Sequence, residues 1–319
     1  MDHFSVTRTT VHRHLNTLIK KEQIVKTGRT QATQYFLKSS FNKKLNFSLK
    51  KPLNESQVWE KYLKSSFTNF KTNIQEICVY GFTEMFNNVI DHSQASRAYV
   101  ELEKDQDKII IKISDDGIGV FKNIKEHFNL SDVREAVFQL TKGKLTTDPQ
   151  RHSGEGVFFS SRCFDEFSLS ANGICYLKDN TANDWYLEDL AESSAQGTTV
   201  QMIISEASSR RLEDIFFEYQ NEDSLAFDKT HIVVRFSKLP EENFISRSQA
   251  KRVLHGLNKF ERVILDFEGV KGVGQGFVDE IFRVYSNNHP HINFKYINAN
   301  KSVEMMIERC KATSKLNQN

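Results

Sequence analysis

Glu84 and Asn88 stand four residues apart in the stretch Gly81-Phe-Thr-Glu-Met-Phe-Asn-Asn-Val-Ile-Asp-His92. That step stacks both side chains on one face of a helix, one turn apart. A carboxylate and a carboxamide so placed can share a metal and a water: Asn offers a neutral oxygen to Mg2+, and Glu takes a proton from an attacking oxygen. Asp115 is a second candidate. It ends the β-branched run that begins at Lys108 and heads the turn Asp116-Gly117-Ile118-Gly119. An Asp at a strand end can accept a hydrogen bond from an exocyclic amine, which selects adenine over guanine, and the glycines let backbone approach a ligand closely. The third candidate is the basic, Gly-rich stretch Arg151-His152-Ser153-Gly154-Glu155-Gly156 before an apolar run. Backbone amides at a helix start favour phosphate.

Three kinds of element must hold these groups. Cys78, Phe82, Met85, Phe86 and Val89 recur at helical spacing, so Glu84 and Asn88 ride an amphipathic helix with its other face in a core. Asn54 can cap a preceding helix that runs to about Phe67. Residues 98–103 and 109–113 read as paired strands, and strands around 167–177 and 198–204 complete the unit. Between Val120 and Arg151 lies a polar, partly helical section with Lys142, Gly143, Lys144, Thr146 and Thr147.

The succession Glu84-x-x-x-Asn88-x-x-x-His92, Asp115-x-Gly117-x-Gly119, Gly154-x-Gly156 and Gly197-Thr198-Thr199 resembles the four boxes of the GHKL ATPase and kinase superfamily, over residues 52–205. The resemblance implies the Bergerat nucleotide-binding fold, an α/β sandwich with a mixed sheet and helices on one face, in an α+β chain. It implies ATP and Mg2+ as cofactors. Glu84 would be the general base, Asn88 the Mg2+ ligand and Asp115 the adenine reader. Gly117, Gly119, Gly154 and Gly156 would shape the nucleotide and phosphate loops, Thr198 would close the adenine pocket, and the section from Val120 to Arg151 would be the ATP lid. Anti-sigma-type serine kinases of this superfamily carry an Arg where this chain has His152, so Arg151, or His152 when protonated, would meet the γ-phosphate. His92 is expected to pack or to bond in support of the site.

The 319 residues are 39% hydrophobic with a mean hydropathy of -0.51, which suits a soluble protein of two or three domains. No apolar run approaches a membrane span and the start lacks a secretory signal, so the expected location is cytoplasmic. Cys78, Cys163, Cys175 and Cys310 are widely spaced, which argues against a disulfide framework or a zinc site. A net charge of +2 conceals an asymmetry: residues 1–51 hold eleven Lys or Arg against two acids, about +9, and the remainder is about -7.

Within that basic end, residues 5–21 read as a capped helix with Val11, Leu15, Leu18 and Ile19 as its apolar stripe. Ile24–Thr27 and Ala32–Leu37 form a hairpin around Gly28-Arg29-Thr30. Helix and hairpin resemble the recognition helix and wing of a winged helix-turn-helix domain, with the helices that should precede them missing or shortened. The resemblance would set Arg8, Thr10, His12 and Arg13 against DNA, with Arg29 on the wing. The same pattern serves equally for dimerisation.

The C-terminal part alternates strand and helix, which argues a small α/β domain with parallel pairing. Gly272-Val-Gly-Gln-Gly276 is no dinucleotide fingerprint, because Phe277 occupies the place of the third glycine. The run Val263-Ile-Leu-Asp-Phe-Glu-Gly-Val270 followed by Gly276-Phe-Val-Asp-Glu-Ile-Phe282 is similar to STAS-like domains, though its loop lacks the phosphorylatable Ser of anti-sigma antagonists. The expected organisation is a winged-helix segment at 1–40, a linker at 41–51, the ATP-binding domain at 52–205, a linker at 206–227 and the STAS-like domain at 228–319. The expected function is an ATP-dependent switch that controls transcription with slow ATP hydrolysis. A Ser/Thr protein kinase of the anti-sigma type and an inactive nucleotide-binding module are the alternatives. Expected partners are ATP, DNA, a regulatory protein and a second copy of the chain, with no membrane. A sensor histidine kinase is set aside, since no acid adjoins the His12-Arg13-His14 cluster.

Overall fold

The computed structural model describes residues 7–20, 24–27, 33–37, 42–105, 107–148, 150, 152–190, 196–239 and 243–316. Helix α1 (Arg8–Lys20) is capped by Thr7, whose Oγ1 accepts from the Thr10 amide at 3.3 Å. Strands β1 (Ile24–Thr27) and β2 (Gln34–Leu37) pair antiparallel, Ile24 opposite Leu37. Leu15, Leu18 and Ile19 are half-buried, but Val11, expected on the same stripe, is 36% exposed.

The central unit runs β3 (Asn42–Ser48), α2 (Glu55–Val58, continued in irregular turns to Ser66), α3 (Thr72–His92), β4 (Arg97–Asp105) and β5 (Lys108–Asp115). It continues α4 (Val120–His127), α5 (Val133–Lys142), α6 (Gly156–Cys163), β6 (Glu166–Ala171), β7 (Ile174–Asp179), β8 (Asp184–Asp189), β9 (Thr198–Ser205) and α7 (Leu212–Tyr219). Asn54 starts α2 as expected: its Oδ1 accepts from the Gln57 amide at 2.9 Å. The seven strands lie in the order β3-β4-β5-β9-β6-β7-β8. The expected mixed sheet is a correction, for every neighbouring pair is antiparallel. Hairpins join β4 to β5, β6 to β7 and β7 to β8, and β9 returns between β5 and β6, so no crossover demands a parallel pair.

Both expected linkers are structured. Residues 41–51 contain the edge strand β3, where Phe47 turns inward, its ring centroid 5.6 Å from Tyr62 and 5.5 Å from Phe86. Asn42, Lys44 and Asn46 fill the outward positions, while Lys43 stands on the inward face with Leu45 and Phe47, its Nζ donating to Tyr62 O at 3.0 Å, which masks the period of two. Residues 206–227 contain α7, which buries Ile215 and Tyr219 and sets Phe216 edge-on against Tyr80 and Phe159.

The C-terminal unit follows as β10 (Lys229–Val233), α8 (Arg247–Leu254), β11 (Arg262–Asp266), α9 (Gln275–Asp279, extended by a widened turn to Tyr285), α10 (Ser286–Asn288), β12 (Asn293–Ile297) and α11 (Lys301–Leu316). Its three strands are parallel in the order β10-β11-β12. Ser246 and Gln249 form a reciprocal capping box at the start of α8.

Helix α3 lies on the sheet through Ile74, Ile77, Cys78, Phe82, Met85, Phe86 and Val89, all buried. Gly81 is required there, because a Cβ would stand 2.3 Å from the Phe164 ring. Each such side chain contributes about 2 kcal/mol on burial. On β5, Ile109, Ile111 and Ile113 face these helices, and the alternation of the strand carries Asp115 to the same buried face. The aromatic core is continuous between the two large units: Phe227 meets Phe158, Phe159 and Phe260, while Tyr176 meets Phe236 and Trp185 meets His231. The four cysteines are free thiols. Among the described residues no helix is long and apolar enough to cross a membrane.

Candidate functional site

Asp115 is 5% exposed and forms the polar floor of an apolar chamber. Its Oδ1 accepts from the amides of Gly117 at 2.8 Å and Thr198 at 3.3 Å, which fixes the carboxylate toward the chamber. Burial raises the Asp115 carboxyl above its ordinary value, and those bonds work against the rise. Met85, Val89, Ile113, Val157, Leu169 and Val200 supply the apolar walls of the chamber. Such a room, apolar with one directed carboxylate, suits a flat heterocycle bearing an amine.

Two glycines make that floor possible. A Cβ at Gly117 would lie 2.0 Å from the Ser93 carbonyl oxygen, and one at Gly197 would lie 1.9 Å from that of Asp115. Gly197 also holds φ at +93°, a conformation disfavoured for L side chains. Thr198 closes the corner, its Oγ1 accepting from the Val120 amide at 3.0 Å. Gly119, at φ +85°, precedes α4. The turn from Ile118 into α4 is gripped by Asn172: Nδ2 donates to Ile118 O at 3.0 Å and Oδ1 accepts from the Lys122 amide at 3.0 Å. Asn172-Gly173, both at positive φ, is the turn of the β6–β7 hairpin, splitting the stretch that reads in sequence as one strand.

The inner chamber adjoins a wider cleft, and Asn88 and His92 line both. Glu84, Asn87, His152, Glu155, Gly154 and Gly156 line the outer cleft together with Leu145, Thr146 and Thr147. The four-residue step therefore works as the spacing predicts, with Glu84 and Asn88 facing one space. Glu84 is held against the backbone that opens α6: a Cβ on Gly156 would stand 2.2 Å from Glu84 Oε2. Burial raises the Glu84 carboxyl above its ordinary value, Glu155 adds to the rise and His152 opposes it. Gly154, at φ +73°, passes so near Leu145 that a Cβ would meet its backbone at 2.5 Å.

His152 stands on the cleft wall, its ring edge-on to His92 with centroids 4.7 Å apart. Its Nε2 lies 3.0 Å from Asp91 Oδ2 but off the hydrogen-bonding direction, so the contact is an ion pair only with the ring protonated. The His92 Nδ1 and Thr147 Oγ1 are 3.4 Å apart, and the His92 carbonyl accepts from Asn123 Nδ2 at 2.8 Å. The supporting role expected of His92 matches this placement. Arg151 lies outside the described residues, as does Arg29.

Sequence reasoning passes over Asn87, Asn123, Asn172 and Asp116. Asp116 ties the turn to the start of β4, accepting from the amides of Ser96 at 2.7 Å and Arg97 at 2.9 Å. The Asn172-Gly173 dipeptide carried a turn signal, but nothing local announced that its side chain reaches a loop 54 residues earlier. At the other end of the chain, Arg8 opens α1, Thr10 shares a hydroxyl contact of 2.9 Å with Thr7, and His12 and Arg13 are exposed. Thr10, His12 and Arg13 do not line the cleft.

A family model described as histidine kinase-, DNA gyrase B- and HSP90-like ATPase matches residues 77–208, and one described as a STAS-like domain of unknown function matches residues 249–304. No curated protein matches the chain. The chain thus carries a GHKL-type ATPase domain, a nucleotide-binding one, followed by a STAS-like domain. Every described residue named above as shaping the two chambers falls within residues 77–208.

Proposed function

We propose, of a chain whose residues 77–208 form a GHKL-type ATPase domain, that it binds ATP with Mg2+ in the paired chambers, hydrolyses it slowly, and acts as a switch in transcription control. The observation that carries this reading is the buried Asp115 flooring an apolar chamber that shares Asn88 with the cleft of Glu84. The residues fit the groups the family implies, because side chains at Gly117 and Gly156 would fill the cradle. Asp115 accepts from the exocyclic amine of the base and Thr198 holds the corner beside it. Asn88, placed between base and phosphate sides, is the neutral ligand for Mg2+, which when bound offsets the charge of the phosphates. Glu84 is the general base, and its raised carboxyl makes it a better proton acceptor than an exposed carboxylate. Gly154 and Gly156 leave backbone amides at the start of α6 for the phosphates.

The test is Mg·ATP binding and turnover in wild type, Asp115→Asn and Glu84→Ala, with the γ-phosphate labelled. Binding lost in Asp115→Asn, with turnover alone lost in Glu84→Ala, is the expected pair of results. Label released as phosphate supports hydrolysis, and label retained on an added protein supports the kinase reading instead. Absence of binding in the wild type refutes the nucleotide reading altogether.

The output rests on a separate feature. The +9 charge of residues 1–51 and the outward placement of His12 and Arg13 on α1 support DNA as the partner of that segment.

A further inference from the structure

Lys142 is 2% exposed at the end of α5, yet it belongs to neither chamber. An ammonium has three donors and no acceptor. Its Nζ donates to Gln139 Oε1 at 2.9 Å, to Arg252 O at 3.1 Å and to His255 O at 3.0 Å. The last two are carbonyls at the C-terminal end of α8, where a helix lacks partners and carries negative partial charge. Burial pushes the Lys142 ammonium down from its ordinary value, while Glu135 supports the charge. Glu135 also pairs with Arg252 of α8, Nε to Oε1 at 2.9 Å, both side chains mostly buried.

The grip continues along the chain into the cleft. Thr230 of β10 donates to Lys142 O at 2.7 Å, and Lys144 and Lys259 each donate to the other's carbonyl oxygen, at 2.7 and 3.0 Å. Gly143, at φ +82°, lies so close to Phe227 that a Cβ would stand 2.7 Å from its ring. The next residue after Lys144 is Leu145, which with Thr146 and Thr147 lines the outer cleft and abuts Gly154. No free length of chain separates the C-terminal unit from the cleft wall at Leu145, Thr146 and Thr147.

We propose that the STAS-like domain positions the wall of the nucleotide cleft at residues 143–147 in cis, with Lys142 as the positioning residue that clamps it to the end of α8. The proposal rests on the nucleotide reading for its consequence in binding, but the clamp itself is independent of nucleotide. A ligand or partner that shifts α8 then changes nucleotide affinity, and nucleotide changes affinity for that partner by the same factor.

The experiment uses the full chain as wild type, Lys142→Met and Lys259→Ala. The second variant removes an exposed contact and keeps the test alive if the first fails to fold. Hydrogen exchange at amides 143–148, without nucleotide, is expected to quicken by about tenfold or more in Lys142→Met and less in Lys259→Ala, with β4 and β5 unchanged. Affinity for Mg·ATP is expected to fall by about tenfold in Lys142→Met, within the usual range of coupling between sites. Wild-type exchange at 143–148 in both variants overturns the clamp. Faster exchange with unaltered affinity overturns the link from clamp to cleft. A wild type that binds no ATP refutes the nucleotide reading instead, and the exchange result still decides the clamp.

Discussion

Replacing Gly156 with Ala separates the two things the phosphate side of the cleft does. The nearest atoms to the new Cβ all belong to Glu84: Oε2 at 2.2 Å, Cδ at 3.2 Å and Cβ at 3.4 Å. Backbone does not obstruct it, so the helix start keeps its place and the carboxylate yields. Glu84 Oε2 must retreat by roughly 1 Å to restore van der Waals separation. In a helical position Ala is favoured over Gly by about 1 kcal/mol, so the fold is not weakened by the change. A catalytic group misplaced by ~1 Å costs on the order of 100-fold in rate. Single-turnover phosphate release is therefore expected to drop about 100-fold, with Mg·ATP affinity within a factor of about three and the melting temperature unchanged or higher. Wild-type turnover in Gly156→Ala refutes the assignment of Glu84 as the base at this spot. Loss of binding and turnover together refutes the separation and makes the Gly156 backbone a phosphate contact first.

Two further expectations follow from the charges. Burial, and then Glu155, hold the Glu84 carboxyl above its ordinary value, so the folded chain keeps a proton there at pH values where the unfolded chain has lost it. Stability then falls as pH rises through the interval between the unfolded and folded values, and the whole penalty stands above the folded one. Glu84→Gln is expected to melt higher than wild type at pH 7 while losing turnover, with the gain vanishing below the unfolded carboxyl value of about 4.3; equal melting at pH 7 contradicts the buried-charge argument. For the basic segment, a DNA probe is expected to shift with wild type and to be released as salt rises, with the shift reduced in Arg8→Ala and Arg13→Ala. No shift at low salt leaves dimerisation as the use of that segment.

The placement of the cleft residues was legible because it depends on local periods. A step of four places Glu84 and Asn88 on one helix face, and a period of two carries Asp115 to the face of Ile109, Ile111 and Ile113. The glycines announced close approach, and Gly117 and Gly156 are indeed positions where a Cβ has no room. Other parts left no local trace. Asn172 holds the Gly119 turn from a hairpin far along the chain, and Lys142 holds α8 across 110 and 113 residues. Side-chain to backbone bonds of that range have no period to read. The strand β3 and helix α7 were hidden for different reasons: a half-buried edge strand rich in Lys and Asn has only Leu45 and Phe47 to mark its period, and α7, though apolar, is only two turns long and gives a period little room to show. The sheet direction was set by the hairpins and the return of β9, which the motifs do not encode.

The aromatic seam through Phe158, Phe159, Phe227 and Phe260 joins the cores of the two sequence domains. Phe158 and Phe159 belong to α6, which begins at Gly156 on the outer cleft, whereas Phe260 precedes β11 of the STAS-like domain. Severing the chain before β10 would leave Phe216, Tyr219 and Phe227 on α6 but take Phe260 from the far side of the Phe227 ring, exposing a ring that is now 4% exposed. Local opening of the C-terminal strands would reach α6 through a single ring, Phe227, which stands between Phe260 and the pair Phe158 and Phe159.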